Sequence, residues 1–121
     1  LKTGCEVLNF ASGAIGRVQG ESYTFIAVKT NITEIVPDLT INLADAYCGK
    51  VAEAGNTIGF KHVGQMPAMQ CHPLYQSLKL ESYLGTPIFV NGELYGTLCF
   101  FSEEVRQSGF ENHEKEIIEL M

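Results

Sequence analysis

Four cysteines and three histidines hold the chain's capacity for nucleophilic, redox or metal chemistry. Cys71-His72 is the sharpest local feature, and Cys48-Gly49, 23 positions earlier than Cys71, invites a thiol-enzyme reading. Such chemistry requires the thiolate, so it depends on exposure and local pKa. His62, Cys48, Cys71 and His72 could converge on a metal, but no CxxC, HxxxH or carboxylate cluster accompanies them, and no metal site is assigned. No Ser/His/Asp set, phosphate loop or spaced glycine fingerprint is present, and no catalytic residue is assigned. Met66, Met69, Tyr47, Tyr75 and Phe60 could line an apolar pocket bearing a few polar groups, as small-molecule sites do.

The elements that must position these residues are organised around a hairpin over residues 81–101. Asn91-Gly92 is a strong type I′ turn signal, because both central residues need positive φ. A two-residue loop pairs Val90 with Glu93, Ile88 with Tyr95, Thr86 with Thr97 and Leu84 with Cys99. Neither face is polar, so the hairpin reads as the middle of a sheet covered on both sides. Pro87 cannot donate to a ladder, which predicts a bulge or an unpaired position there.

Upstream, residues 1–10 read as a helix with Leu1, Cys5 and Leu8 on one face, and 14–18 and 23–29 as strands joined at Gly20. Residues 31–40 read as a loop. Asn42 is a good N-cap for a helix over 43–54, whose apolar stripe is Leu43, Ala46, Tyr47 and Val51 and whose stop is Gly55. A third strand is expected over 57–63 and a short helix over 72–80. A final helix over 110–121 would bury Ile117, Ile118, Leu120 and Met121. Without a βαβ rhythm, the order predicts an α+β domain with an antiparallel sheet and the two terminal helices on one face.

A length of 121 residues suits one domain with a substantial core. The net charge of −6 argues against nucleic acid and against an anionic membrane surface as partners. No apolar run approaches the ~20 residues of a membrane span. The cysteine spacing fits no compact disulfide framework, so reduced thiols in a cytoplasmic protein are expected.

Several strings resemble GAF domains of bacterial signalling proteins, above all His72-Pro73-Leu74-Tyr75, residues 80–87 and residues 90–98, with Leu43-Ala44-Asp45-Ala46-Tyr47-Cys48 similar to the family's mid-domain helix. The resemblance covers nearly the whole chain and is nearest to modules of sensor histidine kinases and related two-component proteins. It implies one GAF-like domain over 1–121, a fragment of a larger multidomain protein whose terminal helices continue into neighbouring domains. It also implies a homodimer through those helices. The implied function is non-catalytic sensing of an unknown small molecule; no cofactor is identified. The implied cavity lies among residues 31–42, Tyr47, residues 62–80 and one hairpin face, so the candidate ligand-binding residues are Tyr47, His62, Met66, Met69, Cys71, His72 and Tyr75.

Two relatives within the resemblance give rival readings. Pigmented GAF domains attach a linear tetrapyrrole through a cysteine beside a histidine, a role that would fall to Cys71. Another branch reduces free methionine sulfoxide with paired cysteines, a role that would fall to Cys48 and Cys71. That branch resembles this chain less around residues 36–38, where its further cysteine is replaced by Val36-Pro37-Asp38.

Overall fold

The structure, a computed structural model, describes residues 2–8, 10–66, 72–105 and 112–120. Six strands form one antiparallel sheet. They are β1 (Ser12–Gln19), β2 (Ser22–Lys29), β3 (Thr40–Asn42), β4 (Ile58–Phe60), β5 (Ser82–Val90) and β6 (Glu93–Ser102), in the order β3-β2-β1-β6-β5-β4. The helices are α1 (Lys2–Leu8), α2 (Cys48–Ala54), α3 (Pro73–Leu78) and α4 (Asn112–Leu120).

The β5–β6 hairpin forms at the predicted turn, with Asn91 at φ 53° and Gly92 at φ 81°. Val90 faces Glu93 as expected, but the register shifts between Ile88 and Phe89. Beyond that bulge Ile88 faces Gly96, Thr86 faces Leu98 and Leu84 faces Phe100. The three inner pairings expected from an uninterrupted ladder are therefore displaced by one residue. Tyr95 is the extra residue on β6, and the irregularity falls just beyond Pro87 rather than at it. A one-residue slip exchanges faces. Leu84, Leu98 and Phe100 thus pack under the terminal helices, and Tyr83, Cys99 and Phe101 share the opposite face.

The terminal helices lie on one face, as expected: Cys5, Leu8 and Ile118 join Leu84, Leu98 and Phe100 in one apolar cluster. Leu120, expected to be buried, is 88% exposed, because the apolar stripe of α4 turns inward only at Ile118 and, in part, Ile117. Leu1 and Met121 lie outside the described residues.

The helix expected over 43–54 is two pieces. A 3₁₀ turn at Leu43–Asp45 is followed by Ala46 in extended conformation (φ −115°, ψ 151°), and α2 begins at Cys48. Asn42 precedes the 3₁₀ turn but makes no side-chain cap, since it is the last residue of β3. That short edge strand begins at Thr40, the last residue of the expected loop, and ends at the expected N-cap; Thr24 pairs with Thr40 and Ser22 with Asn42 along it. Gly55 ends α2 in the left-handed region (φ 69°), as its position predicts. The third strand is confined to Ile58–Phe60, and Val63 belongs to a 3₁₀ turn instead.

Candidate functional site

The sheet face opposite the terminal helices carries the site. Tyr23 and Phe25 of β2, Tyr83 of β5 and Cys99 and Phe101 of β6 form its floor. Ile35, Leu39, Ala46, Tyr47, Cys48 and Leu78 close over it. Together they enclose a cavity of about 340 Å³ whose walls are overwhelmingly apolar. Two exposed carboxylates, Glu34 and Asp45, also border it. This is the composition of a small-molecule site: apolar lining with a few fixed polar groups.

The polar groups are concentrated at Cys48, which the extended Ala46 and the first turn of α2 deliver to the sheet. The Thr97 hydroxyl donates to Cys48 Sγ at 3.1 Å, the Cys48 thiol donates to Tyr23 Oη at 3.4 Å, and Tyr23 lies 2.8 Å from Thr97. Because the Thr97 hydrogen is committed to sulfur, Tyr23 must donate to Thr97. While Cys48 is protonated, the three groups close a ring in which each donates once and accepts once within it; ionised, Cys48 can only accept, from Thr97, from Tyr83 and from a Tyr23 hydroxyl turned toward it. Tyr83 Oη, 3.1 Å from Cys48 Sγ, donates into the same sulfur. Both phenol rings need the room that glycines leave. A Cβ on Gly16 would strike the Tyr23 ring, and one on Gly85 would strike the Tyr83 ring.

Electrostatics follow from this packing. Burial pushes the Cys48 thiol up, but hydrogen bonds from Cys99, Thr97, Tyr23 and Tyr83 outweigh it and hold the group down at about 6. The partners move the other way. Tyr23 and Tyr83 are raised, first by burial and then by the charge of an ionised Cys48, while Cys99 is raised by its hydrogen bond to Cys48 and by burial. One acidic thiol therefore sits among groups that keep their protons for it.

Of the sequence-predicted ligand residues, Tyr47 lines the cavity. It is fully buried, and its hydroxyl donates to the Leu80 carbonyl at 2.8 Å. His72 is buried against the outer side of Tyr47, with ring centroids 5.0 Å apart, and borders a neighbouring polar depression with Asp45 and Lys50. Burial, then the Lys50 charge, holds its imidazole below the ordinary histidine value. His62 and Tyr75 converge elsewhere, on Glu81. Its carboxylate accepts from the Tyr75 hydroxyl at 3.0 Å and from the Gly64 N–H at 2.8 Å, with His62 Nε2 at 3.9 Å. Met66 packs, partly buried, against the core cluster on the cavity side. His62, Met66, His72 and Tyr75 are thus not among the cavity's lining residues. Met69 and Cys71 lie outside the described residues. Among the described residues, no group of three or more His, Cys, Asp or Glu could hold a metal ion, and no helix is long and apolar enough to cross a membrane.

Sequence reasoning missed Tyr23, Tyr83, Thr97 and Cys99, which form the polar centre with Cys48, and Glu81, which anchors the turn at Val63–Gln65. Tyr83 and Cys99 were assigned to opposite faces because the bulge was not counted; only a ladder interrupted between Ile88 and Phe89 unites them.

Solved structures share this fold. The blue-light absorbing form of the PixJ GAF domain from Thermosynechococcus elongatus superposes with a TM-score of 0.75 at 14% identity, covering 98% of this chain and 70% of that one. Free methionine-R-sulfoxide reductase from Neisseria meningitidis gives 0.71 at 18% identity, covering 96% and 65%. The GAF domain of a two-component sensor histidine kinase from Bacillus halodurans gives 0.68 at 15%, covering 98% and 83%. At these identities the likeness is one of fold. No curated protein matches the sequence. The family model described as GAF domain matches residues 1–121, the whole length given, and the chain belongs to the GAF domain family.

Proposed function

We propose that this GAF domain is a non-catalytic sensory module that binds a small, largely apolar molecule in the cavity between the sheet and the 31–48 segment. The observation that carries this reading is the apolar cavity of about 340 Å³ with hydroxyl and thiol groups gathered around Cys48 in its wall. Burying a ligand's apolar surface there supplies affinity, and the few polar groups supply orientation. The covering segment is irregular from Thr30 to Leu39 and at Ala46, so occupancy can shift its packing without disturbing the sheet. A ligand acts as a signal only if it binds two arrangements with different free energy, and this segment is the element able to adopt two.

The wider setting belongs to the same proposal. The parent is a cytoplasmic two-component protein, a histidine kinase or response regulator, in which the terminal helices join neighbouring domains and pair with those of a second copy. The sequence resemblance and the likeness to the GAF domain of a sensor histidine kinase from Bacillus halodurans support it.

A thermal-shift screen of small phenols, indoles and short-chain amphiphiles tests the site. At least one class should raise the midpoint in a concentration-dependent way, as mass action requires, and Ala46→Leu, which fills the cavity, should abolish the rise. A domain that no compound stabilises, or one stabilised equally after Ala46→Leu, overturns the reading. A coloured covalent adduct on Cys71, formed in a bilin-producing host, would overturn it in favour of a photoreceptor.

A further inference from the structure

The acidic thiol has a function to explain, since a ligand held by apolar walls does not need one. Cys48 and Cys99 come from different elements, α2 and β6, and both line the cavity. Thr97, whose hydroxyl lies 3.1 Å from Cys48 Sγ, and Cys99 are successive residues on one face of β6, which brings the two thiols to the same part of the cavity, where each shifts the titration of the other. Both are free thiols. Thr97 and Tyr83 each place a hydroxyl 3.1 Å from Cys48 Sγ. These are donors that stabilise a thiolate without a cation. The cavity gives a small neutral oxidant a route to sulfur while the covering segment excludes bulkier thiols.

We propose that Cys48 and Cys99 form a site of oxidative modification, in which a hydroperoxide entering the cavity converts the two thiols to a disulfide. The Cys48 thiolate attacks the peroxide oxygen. The S–O bond forms, the O–O bond breaks, and the departing hydroxide leaves as water after taking a proton. Cys99, deprotonated, then attacks the sulfenic sulfur, the S–S bond forms, and a second water leaves. In sum, two thiols and one hydrogen peroxide give one disulfide and two waters. The inference uses the cavity only as a route, so it stands or falls separately from a resident ligand. It differs from the Cys48–Cys71 pairing that the reductase resemblance implies.

The test uses the whole chain and hydrogen peroxide. Cleavage after Lys and Arg puts Cys5, Cys48, Cys71 and Cys99 on separate peptides, 3–17, 30–50, 62–79 and 80–106. Native protein is oxidised, unfolded, alkylated, digested and mapped by mass. The expected product joins 30–50 to 80–106 and is lost on reduction. In Cys99→Ser, Cys48 should stop at sulfenic acid and be captured by a 1,3-dione. The wild-type rate between pH 7 and 8.5 should change less than about twofold, whereas an ordinary thiol gains on the order of tenfold in thiolate. A link from 30–50 to 62–79 overturns the proposal. So does a Cys48 that remains fully alkylatable once the oxidised chain is unfolded. The wild-type map needs no variant, so misfolding of Cys99→Ser would not rescue or sink the idea.

Discussion

The Tyr47 hydroxyl donates to the carbonyl of Leu80 across 2.8 Å, and both residues are almost wholly shielded from water. The bond ties the residue that leads into α2 to the segment entering β5, so the cavity roof is pinned to the sheet at one polar point. Tyr47→Phe removes the donor and leaves a buried carbonyl without it. The expected cost is about 1–2 kcal/mol, read from urea unfolding. A variant as stable as wild type would show that the roof is held by packing alone.

Thr97→Val keeps side-chain shape and deletes one member of the Cys48–Tyr23–Thr97 ring. Tyr23 loses its acceptor and Cys48 a donor, all in a fully buried setting. Destabilisation of about 1–3 kcal/mol is expected. The Cys48 thiol should also titrate higher, seen as a rightward shift in the pH dependence of the thiolate's ultraviolet absorbance. An unchanged titration would assign the low thiol value to other donors.

The same cluster fixes how stability varies with pH. Tyr23 and Tyr83 have folded-state values raised above the unfolded value near 10, so their contribution is present below about pH 10 and lost above it. Each group contributes a fall of about 1.4 kcal/mol per pH unit once its unfolded counterpart has ionised. Cys48 has the opposite sign: held at about 6, it contributes stability present above the ordinary thiol range and lost as pH falls toward 6. His72, also depressed, adds to the acid-side loss. Cys99, raised, has the same sign as the tyrosines and begins to lose its contribution above the ordinary thiol range, so unfolding midpoints from pH 5 to 11 should rise to a maximum near about pH 8.5, then fall, more steeply above about 10. A curve flat from pH 6 to 9 would contradict the thiolate.

Glu81→Gln tests the second polar cluster. The Tyr75 phenol is raised chiefly by its hydrogen bond to the Glu81 carboxylate, with burial and the carboxylate's charge adding to it. Removing that charge should return one tyrosine toward its ordinary value in an ultraviolet titration, while the Cys48 thiol titrates as before. Loss of cavity binding in the same variant would show that the Val63–Gln65 turn communicates with the roof.

The fold was largely legible in the sequence, the site less so. Asn91-Gly92 and Gly55 announce their conformations because their backbone demands are local. The β3 strand was not legible: Thr40-Ile41-Asn42 is too short to show alternation, and only its partner, Ser22–Thr24, makes it a strand. The bulge beyond Ile88 was equally silent, and it decides which side of the sheet every later β6 residue occupies. Tyr47, read from a helical stripe that the structure breaks at Ala46, does line the cavity, from the position just before α2. Cys48 reads as a thiol candidate paired with Cys71, since nothing within the chain's own neighbourhood reveals that Thr97 and Tyr83 will meet it from 49 and 35 residues away. Tyr75 reads as an apolar pocket residue and His62 as a ligand candidate; both meet Glu81 instead, which lies in a segment that reads only as the start of a strand.

The two edges of the sheet are β3 and β4, each three residues long. Edge strands present unpaired N–H and C=O groups on which a foreign strand can grow. Three residues offer too short a template for that growth; β6 is interior, and although β4 covers only Tyr83–Gly85 of β5, the rest of that outer edge, Thr86–Val90, carries Pro87, which cannot donate to an added strand. The domain is thereby guarded against runaway strand addition, and at high local concentration neighbouring copies are steered away from fibrous assembly.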